Sequence, residues 1–179
     1  VSRTPIREAI RRLEQEHMLE DSGRGMTVTG ISKEDMPDMY EIRMRLEGLA
    51  AERAAVRITD EELAEMGDIL DMQGFYIEKQ SKTDADNSDK IKDLDSQFHE
   101  LLYRCSGSKP LCDILIPMHR KMTKFRKASV SKKSRARHSY EEHVAIYEAL
   151  KAHEPELARS RTVQHIINAR DSIKTIPEV

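Results

Sequence analysis

Seven histidines occur in this chain of 179 residues, and their spacing separates them into two groups. Asp95 and His99 are i,i+4 and therefore share one helix face. At 100° per residue they flank the apolar stripe Ile91, Leu94, Phe98 and Leu102, so they point towards a helical interior. His143 shares a face with Ile146, Tyr147 and Leu150. His165 lies beside Ala158, Thr162 and Ala169, small residues that leave room next to the ring. A single inward histidine is usually a hydrogen-bonded core residue. Four inward polar groups on three helices of one small bundle are costly to bury without a shared partner. A metal cation is the economical partner, and three imidazoles with one carboxylate suit zinc, nickel, iron or manganese. His17, His119, His138 and His153 lack this arrangement and read as surface or structural residues.

Two sets of cations also stand out. Arg43 sits at the edge of an apolar stripe near Ile42, Leu46 and Ala50, where it could receive an anionic ligand or pair with Glu47. Near the start of the chain, Ile6, Ala9, Ile10 and Leu13 fall in one arc of a helix, with Arg3, Thr4, Arg7 and Arg11 in the opposite arc. Leu19 to Thr29 then reads as a strand end, a glycine turn and a second strand. A basic-faced helix followed by a Gly-Arg-Gly hairpin is the pattern of a winged helix-turn-helix DNA reader. A preceding bracing helix is expected for such a domain, and the sequence begins at Val1 directly on the basic helix.

Beyond Thr29 the signals are helical. Ser32-Lys33-Glu34-Asp35 opens a helix to about Arg57, with Met39, Ile42, Leu46, Leu49 and Ala50 as its apolar stripe. Thr59-Asp60-Glu61-Glu62 is a capping box ahead of Leu63, Met66, Ile69, Leu70 and Tyr76. Lys79–Asp89 is polar and reads as a loop. A third helix carries Ile91 to Leu102. A fourth opens at Ser108 and Pro110, with Leu111, Ile114, Leu115, Met118, Met122 and Phe125 inward and a bend expected at Pro117. Ser139-Tyr140-Glu141-Glu142 reads as a second capping box and the start of a short fifth helix. Pro155 begins a sixth that runs to about Lys174. The basic stretch Arg120–Arg137 reads as a solvated helix end and loop, with an auxiliary anion contact as the alternative. The expected fold is mainly α: residues 1–30 form the C-terminal part of a winged domain whose front half is missing, and residues 31–179 form a bundle of about six helices.

Composition bounds the function classes. Charged residues make up 35 % of the chain, hydrophobic residues 38 %, and tryptophan is absent, which fits a helix-rich globular protein. No run is long enough to cross a bilayer, and no signal-peptide pattern is present; a cytoplasmic protein is expected. Cys105 and Cys112 read as reduced core thiols. The net charge of −2 argues against nucleic-acid binding over the whole surface but permits a local basic face.

With these residues assembled, the chain resembles the GntR family of bacterial transcription regulators, in the FadR-like branch with an all-helical FCD-type effector domain. The run Ser2-Arg3-Thr4-Pro5-Ile6-Arg7-Glu8-Ala9-Ile10-Arg11-Arg12-Leu13 looks like the family's recognition helix, and Gly23-Arg24-Gly25 like its wing tip. The run Tyr40-Glu41-Ile42-Arg43-Met44-Arg45-Leu46-Glu47 resembles the opening of the effector domain. Asp95-x3-His99, then Glu142-His143 and His165, match the metal-binding subset of these domains. The resemblance implies a homodimer on a palindromic operator, with Arg3, Thr4 and Arg7 reaching bases or phosphates and Gly23 and Arg24 touching the backbone or minor groove. It also implies a divalent ion, zinc first among the candidates, held by Asp95, His99, His143 and His165. A small carboxylate effector would complete its coordination, and the helical part would also carry the dimer contact.

The expectation is a ligand-responsive repressor rather than an enzyme. A metal-dependent enzyme is the rival, since three histidines and an aspartate with open positions could activate water. The di-iron pattern needs Glu-x-x-His pairs, yet Ser96, Tyr140 and Thr162 precede His99, His143 and His165 by three. The zinc-protease pattern also fails, because Tyr103 follows His99-Glu100-Leu101-Leu102. A third reading keeps the ion as a structural brace.

Overall fold

The structure is a computed structural model that describes residues 3–15, 19–23, 25–28, 32, 34–83, 86–122 and 133–173. Helix α1 (Arg3–Gln15) leads into a hairpin of β1 (Leu19–Asp21) and β2 (Met26–Val28). The strands pair antiparallel with Leu19 opposite Val28 and Asp21 opposite Met26. Gly23 and Gly25 take positive φ in the turn, where Asp21 Oδ1 accepts from the Gly23 N–H at 2.8 Å. Six helices follow among the described residues: α2 (Met36–Arg57), α3 (Asp60–Lys82), α4 (Ser88–Cys105), α5 (Lys109–Lys121), α6 (Lys133–Lys151) and α7 (Pro155–Ile173). The mainly α architecture is as the sequence predicts.

Helix α2 is the axis of the bundle. It packs against α7 along most of its length and also meets α4, α5 and α6, while α3 packs on α4 and α6. Its inner face is built from Ala50, Ala51, Ala54 and Ala55, all fully buried. Small side chains let α7 approach closely: a Cβ at Gly48 would stand 2.9 Å from Val163 Cγ2. This explains why Ile42, expected in the stripe, is 42 % exposed. The α2 stripe instead runs through Met36, Tyr40, Arg43, Glu47 and the alanines. Ile114 is likewise turned out, because α5 buries Leu111, Leu115, Met118 and His119 on its other side. Phe125 lies outside the described residues.

The Thr59 capping box forms as expected, with Glu62 N–H donating to Thr59 Oγ1 and the Thr59 N–H donating to Glu62 Oε2. Three boundaries differ from the sequence reading. Helix α2 begins at Met36, just after Asp35, while Ser32 Oγ accepts from the Asp35 N–H at 3.1 Å and donates to Asp35 Oδ2 at 2.8 Å ahead of it. Helix α3 continues to Lys82 because Ile77 and Gln80 keep its buried face going, and α4 starts at Ser88, so both ends of the supposed loop are helical. Helix α6 begins at Lys133, and Ser139 is a buried mid-helix residue instead of a cap. Its apolar phase runs through Ala136, Ser139 and His143 to Ile146 and Leu150 without a break.

Candidate metal centre

Helices α4, α6 and α7 each turn a histidine into the middle of the bundle. Each of His99, His143 and His165 offers a ligand atom, and these atoms lie within 4.8 Å of one another. All three rings are buried, and their centroids are 4.7–5.2 Å apart. Asp95, one turn before His99 on α4, is also buried, and its Oδ1 stands 3.6 Å from His143 Nε2. The four residues singled out by spacing are therefore brought to one place. Phe98 stacks on His143 at 4.4 Å between centroids and closes the apolar side of the group.

The far nitrogen of each ring faces its own partner on a different helix or turn. His165 Nδ1 donates to Glu142 Oε2 at 2.7 Å, and His143 Nδ1 donates to Gln73 Oε1 at 3.2 Å. His99 Nδ1 stands 3.2 Å from Glu47 Oε2, an ion-pair contact between two buried side chains. Outer partners of this kind fix the tautomer and aim Nε2 at an ion. His143 Nε2 has no hydrogen-bond partner among the described residues although it is buried. A buried nitrogen left in that state costs free energy that a metal bond would offset. The donor set thus fits a divalent transition ion, with His99, His143 and His165 as nitrogen donors and Asp95 adding charge.

Each outer carboxylate is held in turn by an arginine. Glu142 accepts from Arg135 through both oxygens at 2.8 Å and from Asn168 Nδ2 at 2.8 Å. Burial alone would raise its pKa, but hydrogen bonds from His165 and Arg135 overcome this and hold it down at about 2. On its outer side Glu142 borders an open cleft of about 640 Å³ between α6 and α7, shared with Arg135, His138, Asn168, Asp171 and Ser172. Glu47 accepts from Arg43 Nε at 2.5 Å, with both side chains buried. Burial opposes the charge of both partners, yet their mutual attraction keeps Glu47 well below the usual carboxylate range and Arg43 above its ordinary value. Arg43 thus pairs with Glu47, and it still keeps Nη1 buried without a partner among the described residues. For two of the rings burial prevails and favours the neutral form: it pushes His143 well below its ordinary value and also lowers His165.

Of the two readings of His119, surface or structural, the structure gives the second: it is buried, its ring is 4.8 Å from that of His99, and its Nδ1 lies 3.3 Å from the Tyr103 hydroxyl. The signal was present, since His119 is four residues after Leu115 and three before Met122, both buried. Glu47 and Gln73 were also missed as site residues. Each is a polar residue in phase with a buried apolar stripe, Glu47 before Ala50–Ala51 and Gln73 between Leu70 and Ile77. His138 is exposed, and His153 donates Nδ1–H to the Ala55 carbonyl; His17 lies outside the described residues. In the basic stretch, Arg120 pairs with Glu100 and Arg135 with Glu142, so neither guanidinium is left to take an external anion. Residues 123–132 of that stretch lie outside the described residues.

The other group of sequence-predicted residues stands apart from this interior. Thr4 and Arg7 are exposed on α1, Arg3 lies in its first turn, and Gly23 is in the hairpin turn; Arg24 lies outside the described residues.

Residues 38–168 match the FCD domain model. The chain is 31 % identical over 179 residues to YdhC of Bacillus subtilis, an uncharacterized HTH-type transcriptional regulator, covering 99 % of this chain and 78 % of that protein. It is 25 % identical over 177 residues to the HTH-type transcriptional repressor RspR of Escherichia coli, covering 98 % of this chain and 75 % of the repressor. The fold is shared with the solved E. coli McbR/YncC, at a TM-score of 0.83 and 22 % identity, over 97 % of this chain and 86 % of the other. This chain belongs to the FCD-domain branch of the GntR-type transcription regulators.

Proposed function

We propose that this chain is a repressor that senses a small carboxylate at a divalent metal centre in its helical part and answers through operator DNA. In this reading residues 1–30 are the output end and residues 31–179 the sensing and dimer-forming part. His99, His143, His165 and Asp95 hold the ion, zinc before nickel, manganese or iron. When bound, the ion supplies a Lewis-acidic position for a carboxylate oxygen. Arg43 turns a buried N–H of its guanidinium to the same carboxylate, which gives the orphaned Nη1 its partner. Arg3, Thr4 and Arg7 face the major groove, and Gly23 and Arg24 the flanking backbone.

The observation that carries the reading is the set of three buried imidazoles on three helices, with their Nδ1 atoms turned to Gln73, Glu142 and Glu47. Coupling to DNA follows from connectivity. Helix α7 carries His165 and packs along α2, which begins eight residues after β2 ends at Val28. A ligand that binds one arrangement of α2 and α7 better than another shifts the spacing of the two winged segments in a homodimer. The test is fluorescence anisotropy on operator DNA with zinc-loaded and chelator-stripped protein, titrated with a panel of small acids. The reading predicts that an acid changes operator affinity at least about fivefold in the loaded protein alone. Equal response with and without zinc would overturn the metal's part in sensing.

A further inference from the structure

Helix α3 turns one long face out of the bundle. Its buried side packs on α4 and α6 and holds Gln73 Oε1 3.2 Å from His143 Nδ1. On the outer side Glu65, Asp68, Met72, Phe75, Lys79 and Lys82 are all exposed. These six recur at alternating steps of three and four residues, so they form one stripe along the helix. Met72 and Phe75, 47 % and 56 % exposed, stand at its middle. An apolar pair rimmed by charge is the make-up of a contact face.

The charges along that stripe are ordered by sign: the acids precede the apolar pair and the lysines follow it. A second copy of α3 laid antiparallel brings opposite signs together. Met72 then meets Phe75, Asp68 meets Lys79 and Glu65 meets Lys82, and every pair is centred on the same point between Gln73 and Gly74. One two-fold axis through that point pairs the whole stripe of both copies at once, which is the condition for an isologous interface. The spacing is also that of the a and d positions of two helices packed along a seam. A parallel arrangement would set Asp68 on Asp68 and Lys79 on Lys79. A partner of uniform charge would answer only one end. Along one flank Asp71 approaches Glu78 of the second copy, and Lys82, bonded to Glu78 of its own helix at 2.5 Å, offsets that repulsion. Lys79 Nζ lies 6.0 Å from the centre of the Phe75 ring, so it stands beside the apolar centre that it would help to close.

We propose that the occupant of this face is a second copy of the chain, joined α3 to α3 about a two-fold axis with Met72 against Phe75 at its centre. This inference rests on the homodimer of the reading above and gives that homodimer its contact.

The test mixes isotopically light and heavy full chain, couples carboxylates to lysines with a zero-length carbodiimide and maps the linked peptides. Within one helix Asp68 and Lys79 are about 16 Å apart, too far to be joined directly. Asp68–Lys79 links between light and heavy chains are expected. Sedimentation equilibrium then reads the strength of the contact. Met72→Glu, Asp68→Lys and Lys79→Asp should each weaken self-association at least about tenfold. Circular dichroism should keep its helical signal in all three, since the altered side chains are exposed. Asp68→Lys and Lys79→Asp each repel their own copies, yet the two variants mixed should associate, because each supplies the sign the other lacks. A loss of folding would not be reversed by mixing. A dimer that forms without the interchain link, or whose strength the three variants leave unchanged, overturns the inference while the homodimer stands. A wild-type chain that stays monomeric overturns both.

Discussion

Helix α1 carries Arg7, Arg11 and Arg12 outward and leaves Ile6 half exposed, with β1 as its packing partner, whereas α4 buries Asp95 and His99 among residues from four other helices. The two regions place charge in opposite ways. At α1 the charges remain in water, where their attraction for a polyanion is long-ranged and falls with added salt. At the centre of the bundle each polar group is removed from water and must be answered atom by atom, His165 by Glu142 and Glu142 by Arg135 and Asn168. The difference teaches which substitutions should be costly. A side chain of the interior is tied to its neighbours through short contacts, so its loss spreads; an exposed side chain of α1 such as Arg7 stands largely in water, so its loss stays local.

The largest effect is expected at the buried ion pair. Arg43→Ala leaves Glu47 charged and unpaired in the interior and should cost about 3–5 kcal/mol of stability in urea unfolding. A change below about 1 kcal/mol would place the pair in water. Next comes Glu142→Gln, which keeps the shape but weakens the hold on His165; zinc affinity should fall by roughly 10–100-fold in a chelator competition.

Acid provides a third break. His143 and His165 have lowered pKa values in the folded state, so the unfolded chain binds more protons below its ordinary histidine pKa. Their contribution is present above about pH 6.5 and declines as pH falls. Glu142, held at about 2 against an ordinary 4.5, adds a loss between those two values. The urea midpoint of chelator-stripped protein should therefore fall steadily from pH 7.5 to pH 3, and zinc should delay the first part of that fall. A flat profile between pH 7.5 and 5 would contradict the burial of the rings.

On the other side of the comparison, Arg7→Ala should weaken operator binding by about 1–3 kcal/mol, or reduce its salt dependence by about one charge, with zinc affinity unchanged. The smallest effect is Ile6→Ser: with the side chain 50 % exposed, the unfolding midpoint of the helical part should move by less than about 0.5 kcal/mol.

Much of this was legible because helices announce their faces. Asp95, His99, His143 and His165 each sit in phase with apolar neighbours, and phase alone put them indoors. The Thr59 capping box and the Pro155 start are local devices and were read correctly. The misreadings share a cause: charge at the surface masked a continuing buried phase. Lys133, Arg135 and Arg137 hid the run from Ala136 to Leu150, so α6 was started too late at Ser139. The polar run from Lys79 concealed buried Gln80 in the same way. His119 has no inward polar residue one turn away on its own helix, so only its phase with Leu115 and Met122 points it indoors. Glu47 and Gln73 could not be placed from one helix alone, because their role is to face rings on α4 and α6. Ile42 and Ile114 failed for the complementary reason: an apolar side chain at a stripe's edge buries only if a neighbour arrives, and the helices packed on α2 and α5 cover other sides of them.

The central claim is that His99, His143 and His165 form one metal centre with Asp95. Zinc K-edge absorption on stoichiometrically loaded protein tests it directly. The account predicts one zinc per chain, with a coordination shell of three imidazole nitrogens at about 2.0–2.1 Å and oxygen in the remaining position. His143→Ala should lose both the stoichiometry and the three-imidazole signature. A chain that takes up no stoichiometric zinc, or binds it without imidazole in that shell, would contradict the account.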